Sequence, residues 1–201
     1  MGFLEVAEIV GIAAFAYSAL LVAKEERLDL LGSFIVAFLT ALGGGVVRDV
    51  IVDRLPVSFS TYFPAILVLI VVVFSLSISA ALKSEHQNKK LFVYSDAVGL
   101  VSFAINGALV SIDSGLNLVG VSFLALITAV GGGVMRDLLI NRIPFILKEE
   151  VYGSIALGCG VIVWGLHKIG WLNSFLLILL FIGAVWLRIV AYRRRWHLPR
   201  F

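Results

Sequence analysis

Charge is what this 201-residue sequence has least of. Asp, Glu, Lys and Arg together make up 14% of it, where an ordinary soluble domain carries about 25%. Hydrophobic residues fill 61%, and mean hydropathy is +1.06. Disorder needs the opposite balance and is excluded. Cysteine is down to Cys159 alone, so neither an intrachain disulfide nor a Cys-based metal site is possible. The three histidines, His86, His167 and His197, fall in links or the tail without a carboxylate or thiol at ligand spacing. No metal site, cofactor or enzymatic centre is expected. The start lacks the basic region of a signal peptide. Val6 stands where a myristoylation motif needs Ser or Thr. The first apolar stretch is therefore read as a retained helix. Alternating polarity in ~10-residue segments is absent too, which excludes a transmembrane β-barrel.

What is present is a series of long apolar runs, at 5–23, 32–52, 62–82, 94–112, 118–140, 152–169 and 173–191. At 1.5 Å per residue each reaches about 27–35 Å, the thickness of a bilayer core. The expected fold is an all-α membrane protein of seven transmembrane helices forming a single transmembrane domain over 1–201. The links after helices one, three and five hold Lys24, Arg27, Lys83, Lys89, Lys90, Arg142 and Lys148, and the tail adds Arg193, Arg194, Arg195 and Arg200. The other links hold Arg54 and Lys168. The positive-inside rule then puts the N-terminus outside and the C-terminus in the cytoplasm. The net charge of +3 reflects this topology rather than nucleic-acid binding. The Arg193–Arg195 cluster fits a topology determinant or a contact with anionic membrane lipids. Trp164, Trp171, Trp186 and Trp196 lie near helix ends, as interfacial anchors do.

The chain also resembles itself. Shifted by 88 positions, residues 7–56 align with 95–144 without a gap, and 20 of these 50 positions are identical. Thr40, Gly43–Gly45, Arg48 and Asp49 fall on Thr128, Gly131–Gly133, Arg136 and Asp137. Two three-helix repeats, 5–82 and 94–169, are implied, with helix seven (173–191) outside them. An odd number of helices per repeat makes the copies inverted in the membrane, an arrangement that recurs in transporters and channels.

Several residues could line a path. Three successive glycines in a membrane helix cost about 1 kcal/mol each against alanine and free backbone groups that hydrocarbon cannot satisfy. One reading is that helices two and five bend or unwind at Gly43, Gly44, Gly45 and at Gly131, Gly132, Gly133, beside a pore. The other is close helix packing. Arg48-Asp49 and Arg136-Asp137 lie within or at the end of apolar runs, where an unpaired charge costs at least ~2.5–3.5 kcal/mol. Thr40, Gly44 and Arg48 share a helix face, as do Thr128, Gly132 and Arg136. Each stripe fits one wall of a polar path, or an arginine snorkelling to the headgroups. Cross-repeat pairs, Arg48 with Asp137 and Arg136 with Asp49, follow from the symmetry. In helices one and four, Glu8, Gly11, Phe15 and Ser18 repeat as Asp96, Gly99, Phe103 and Asn106. The acids fit a cation-attracting mouth and the phenylalanines an apolar constriction, or respectively an interfacial acid and ordinary core.

Two copies of Gly-Gly-Gly-x-x-Arg-Asp, each in the second helix of a three-helix repeat and followed by a seventh helix, resemble the prokaryotic trimeric intracellular cation (TRIC) channel family. The resemblance spans all seven helices. It implies a homotrimer in the prokaryotic cell membrane, with a separate path for monovalent cations (K+, Na+) in each protomer. Helices two and five would kink at the two glycine triplets, with Arg48 and Arg136 at the adjacent charged positions. The sequence reads Gly-Gly-Val-Val-Arg-Asp where the eukaryotic branch carries Lys-Glu-Val, so phosphoinositide or calcium regulation is not implied. Some bacterial members of the wider family are associated with uptake of glycine-type amino acids, which is the alternative function.

Overall fold

The computed structural model describes residues 2–79, 85–148 and 150–196. Lys83, His197 and Arg200 lie outside the described residues. The chain forms α1 (Phe3–Glu25), α2 (Leu30–Ile51), α3 (Val57–Ser60), α4 (Phe63–Ser79), α5 (Glu85–Asp113), α6 (Leu118–Leu139), α7 (Phe145–Lys148), α8 (Glu150–Lys168) and α9 (Ser174–Arg194). No strand occurs among the described residues. The seven apolar runs correspond to α1, α2, α4, α5, α6, α8 and α9. Six of these are long and apolar enough to cross a membrane, while α4 is a shorter apolar helix. Two one-turn helices, α3 and α7, were not anticipated. Helix α5 also begins earlier than its apolar run, taking in residues 85–93.

Local chemistry places the helix ends. Asp29 and Asn117 accept hydrogen bonds from the backbone N–H of Gly32 (2.7 Å) and Gly120 (2.9 Å) at the starts of α2 and α6. Asn173 caps α9 in the same way through Leu176, each satisfying an N–H that the helix cannot. At the other ends Arg27, Asp53, Asn141 and Arg195 take the left-handed conformation, as do Gly115 and Gly170. Each is followed by a residue whose N–H reaches back to close the last turn, as in Arg54 N–H to Asp49 O (2.8 Å) and Arg142 N–H to Asp137 O (2.8 Å). The link after α6 also meets the link after α1: Arg142 pairs with Glu25 (3.2 Å) and with Glu26. Those two links therefore share one end of the bundle.

The core is a set of close helix pairs around α1, α2, α5 and α6, with α5 the most enclosed span. Two pairings rest on missing side chains. A Cβ added to Gly44 would fall on the Thr128 carbonyl oxygen, and one added to Gly132 would fall on the Thr40 carbonyl oxygen. Helices α2 and α6 thus cross antiparallel, backbone against backbone. The expected unwinding at the glycines does not occur: both helices run unbroken through their triplets. At Gly44 and Gly132 the packing reading applies, because a continuous helix keeps its own hydrogen bonds while glycine lets the second backbone approach. In the second pairing, Phe15 of α1 sits on Gly99 of α5, and Phe103 of α5 sits on Gly11 of α1. The two rings meet at 5.2 Å between centroids. Both are buried, Phe15 at 1% and Phe103 at 4% exposure.

Outside this core the surface is apolar. Ile66, Ile70, Val73 and Phe74 on α4, and Ile182 and Trp186 on α9, are exposed, as suits a surface that meets hydrocarbon rather than water. Cys159 is buried, in keeping with a packing role.

Gly44→Ala and Gly132→Ala are expected to lower stability by about 2 kcal/mol or more, since backbone must move to admit the methyl group. Gly158→Ala, with open space around it, should leave stability unchanged or raise it by up to about 1 kcal/mol, the helix propensity that alanine gains over glycine. Thermal unfolding in detergent, followed by loss of the monodisperse species, checks both.

Candidate functional site

Two clusters of buried charge flank the α2–α6 crossing. Arg48 and Asp49 end α2. The Arg48 Nε–H donates to Asp49 Oδ1 at 2.7 Å, and Nη2 lies 2.7 Å from the same oxygen. Arg48 Nη1–H donates to Asn106 Oδ1 of α5. The other carboxylate oxygen, Asp49 Oδ2, accepts from the N–H of Val57 (3.2 Å), the first residue of α3. That N–H has no partner within its own helix, and an anion there is favoured by the helix dipole. One aspartate thus neutralises the arginine and pins the following link. Arg48 and Asp49 are each 3% exposed. Glu8, half-buried on α1, lies within electrostatic reach of both. It lines a cavity of about 230 Å³ with Glu5, Ile12, Val57, Thr61 and Phe63.

The second cluster repeats the first at an offset of 88 residues. Arg136 Nε–H donates to Asp137 Oδ1 (2.8 Å), and Asp137 Oδ2 accepts from the N–H of Phe145 (2.7 Å), the first residue of α7. Arg136 Nη1 lies 3.5 Å from Asp96 Oδ1, with its guanidinium 5.0 Å from the Phe92 ring centroid. Tyr152, buried beside this pair, lies within electrostatic reach of Asp96. Arg188 of α9 then lies over the rings of Tyr152 (5.0 Å) and Phe145 (5.5 Å). Phe145 and Tyr152 pack edge to face at 5.4 Å. Arg136, Asp96 and Arg188 are each 1% exposed. Gly44 meets Gly131 at the crossing, so with α2 and α6 antiparallel the two arginines lie on opposite sides of it, about 14 Å apart along the helix axes at 1.5 Å per residue.

The anticipated cross-repeat ion pairs are not formed. Each arginine takes the aspartate beside it in sequence, because that carboxylate is already held in place by the N–H of the following short helix. At the first cluster, what does cross between the halves is the bond from Arg48 to Asn106. Asn106 is brought to the site, whereas its counterpart Ser18 donates to the Phe15 carbonyl of its own helix (2.9 Å). Thr40 and Thr128 are buried at the crossing, but their hydroxyls donate to Val36 O and Leu124 O of their own helices (both 2.6 Å). Gly43 lies against Met135, Gly131 against Gly44, while Gly45 and Gly133 have the ends of Arg48 and Arg136 nearby. Phe15 and Phe103 face each other rather than either arginine cluster. Glu8 borders a cavity, but Asp96 is wholly enclosed. Arg188, Tyr152, Phe92 and Phe145 were not singled out from sequence. Arg188 carried a usable signal, a guanidinium inside the apolar run 173–191; the three aromatics were indistinguishable from core.

The chain is similar to several known proteins. A family model described as "Glycine transporter" matches residues 5–78 and again 93–168. The UPF0126 membrane protein YvgT of Bacillus subtilis is 41% identical over 200 residues, covering 97% of this chain and 95% of that protein. The UPF0126 inner membrane protein YadS of Escherichia coli is 34% identical over 155 residues, covering 77% and 74%. Among solved structures, a prokaryotic TRIC channel crystallised in 0.5 M KCl superposes with a TM-score of 0.89 at 32% identity, over 97% of this chain and 98% of that one. The trimeric intracellular cation channel orthologue from Rhodobacter sphaeroides gives 0.86 at 28% identity, over 94% and 96%.

A double-mutant cycle on stability joining Arg48→Gln and Asp49→Asn is expected to show coupling of about 1 kcal/mol or more, as for a buried pair. The same cycle between Arg48→Gln and Asp137→Asn should show less than about 0.5 kcal/mol.

Proposed function

Because the chain belongs to the prokaryotic TRIC channel family, whose model carries the glycine-transporter description, we propose that it is a channel for monovalent cations, potassium among them, with one path inside each protomer of a homotrimer. The reading takes the two halves as inverted repeats, with α4 spanning as the third helix of the first and α9 as an added seventh. The N-terminus then faces outward and the C-terminus the cytoplasm. The Arg48 cluster lies at the outer end and the Arg136 cluster at the inner one.

The observation that carries this reading is the pair of buried Arg–Asp clusters on opposite sides of one glycine-mediated crossing. A cation path through hydrocarbon must offer polar groups on both sides of its narrowest point while keeping its own charges compensated. Here each arginine is neutralised by the adjacent aspartate, so it need not repel the permeant ion as a bare charge would. Glu8 supplies negative charge at a cavity next to the first cluster and would concentrate cations there. The glycine-uptake alternative has the description of the family model in its favour, whereas the solved structures at 28–32% identity are described as cation channels.

Purified protein in planar bilayers with potassium on both sides is expected to give discrete openings that reverse at the potassium potential under a gradient. Glu8→Gln should reduce conductance at low salt and much less at high salt, because the mouth charge acts through a screened field. Silent bilayers together with substrate-saturable glycine uptake into liposomes would sink the channel reading. Topology has its own check: a cysteine at Gly2 in a Cys159→Ala background should react with an impermeant maleimide added outside intact cells.

A further inference from the structure

Between α8 and α9 runs an apolar groove of about 600 Å³, lined by Ile155, Gly158, Leu180, Gly183, Ala184 and Leu187 among others. Two of these are glycines with open space where a Cβ would stand. Helices α8 and α9 are also the least enclosed of the candidate spans, 33% and 22% buried. The groove therefore opens toward the hydrocarbon around the bundle. An apolar hollow of this kind loses dispersion contacts unless a chain fills it.

One end of the groove is charged. On α9, Leu180, Gly183, Leu187 and Arg194 follow one another at steps of three, four and seven residues, so they share one face of the helix. Arg194 thus stands at the C-terminal end of the face that lines the groove. It is exposed, and no carboxylate among the described residues pairs with it. Its neighbour Arg193 is engaged elsewhere. There Nη2–H donates to the Tyr94 hydroxyl of α5 (2.7 Å), with the guanidinium 5.8 Å from that ring's centroid. Lys90, one turn before Tyr94, is exposed as well. Trp196, 45% exposed, lies just beyond, where an interfacial anchor belongs. The length also fits. Half a bilayer core is about 15 Å, or roughly ten residues of helix. Counted back from Ala191, that length reaches Phe181 and passes Leu187, Ala184 and Gly183 on the way.

We propose that the α8–α9 groove seats one acyl chain of an anionic phospholipid whose headgroup phosphate is held by Arg194. An apolar groove and an exposed guanidinium in register on one helix recognise a tail and an anionic head together. A zwitterionic lipid offers the same tail. Its own cation, however, opposes the positive charge that Arg194, Arg195 and Lys90 place at this end. With the C-terminus cytoplasmic, as proposed above, the lipid belongs to the inner leaflet. The inference needs only that the chain spans the membrane, so it stands or falls separately from the channel reading. It gives α9, the helix outside the repeats, a partner of its own in the bilayer.

The test is native mass spectrometry of the full chain in detergent, titrated with dioleoylphosphatidylglycerol or dioleoylphosphatidylcholine. Wild type, Arg194→Gln, Arg194→Lys and Gly183→Leu are compared, each first shown monodisperse. Wild type is expected to retain one phosphatidylglycerol per chain, with about a tenfold preference over phosphatidylcholine. Arg194→Gln should bind phosphatidylglycerol about fivefold more weakly, the effect of one charge beside an anionic head, and lose most of the preference. Arg194→Lys, which keeps the charge, should stay within about twofold of wild type. Gly183→Leu fills the groove without displacing a neighbour and should weaken both lipids by about tenfold. Inorganic phosphate, which has no tail, should not displace the lipid. Equal retention of the two lipids by wild type overturns the inference, as does unchanged binding in Gly183→Leu. Displacement by inorganic phosphate overturns it too, since the head alone would then make the site. A Gly183→Leu variant that changes oligomeric mass and keeps its lipid puts a second copy in the groove, and that also overturns it. Should Arg194→Gln not stay monodisperse, the wild-type preference and Gly183→Leu decide.

Discussion

The contact of α2 with α6 through bare backbone is the constraint on which the other features depend. Gly44 lies on the Thr128 carbonyl and Gly132 on the Thr40 carbonyl, and any side chain at either glycine would push the helices apart. Both glycines are one turn before an arginine. The closeness of the crossing therefore decides how near Arg48 comes to Asn106 of α5 and how near Arg136 comes to Asp96. Widening it would leave buried guanidinium groups without those partners, at a cost far larger than that of the glycines themselves.

The same economy governs the charges. A carboxylate at the C-terminal end of a helix faces an unfavourable dipole. Asp49 and Asp137 offset this by turning one oxygen to the arginine and the other to the first N–H of the next short helix. The one-turn helices α3 and α7 exist in this setting, each begun just after a proline, Pro56 or Pro144. Motif, link and short helix thus form one unit, present twice.

Much of the architecture was legible because bilayer thickness imposes a length that can be counted. The doubled motif was legible because both copies survive intact. Other features were not. Three glycines read as a weak point or as a close contact, and a facing backbone is visible only in the folded chain. Symmetry suggested that Arg48 would reach Asp137, but it says nothing of the N–H groups of Val57 and Phe145 that claim the aspartates first. Helices α3 and α7 are too short to carry a periodic signal. Arg188 was overlooked within an apolar run because α9 has no second copy against which to notice it, and Phe92, Phe145 and Tyr152 look like core until a guanidinium is found beside three of their faces.

The reciprocal seating of Phe15 and Phe103 has a mechanical meaning. Each ring occupies the notch left by a glycine on the opposite helix, so the pair acts as two keys cut in opposite directions. Sliding α1 along α5 by one helical turn, about 5.4 Å, would require both rings to leave their notches together. Shear between these two helices is thereby blocked, and they move as one rod. Rearrangement of the bundle then falls to elements outside that lock: α9, the least enclosed of the candidate spans, and the links whose ends are pinned by a single carboxylate oxygen.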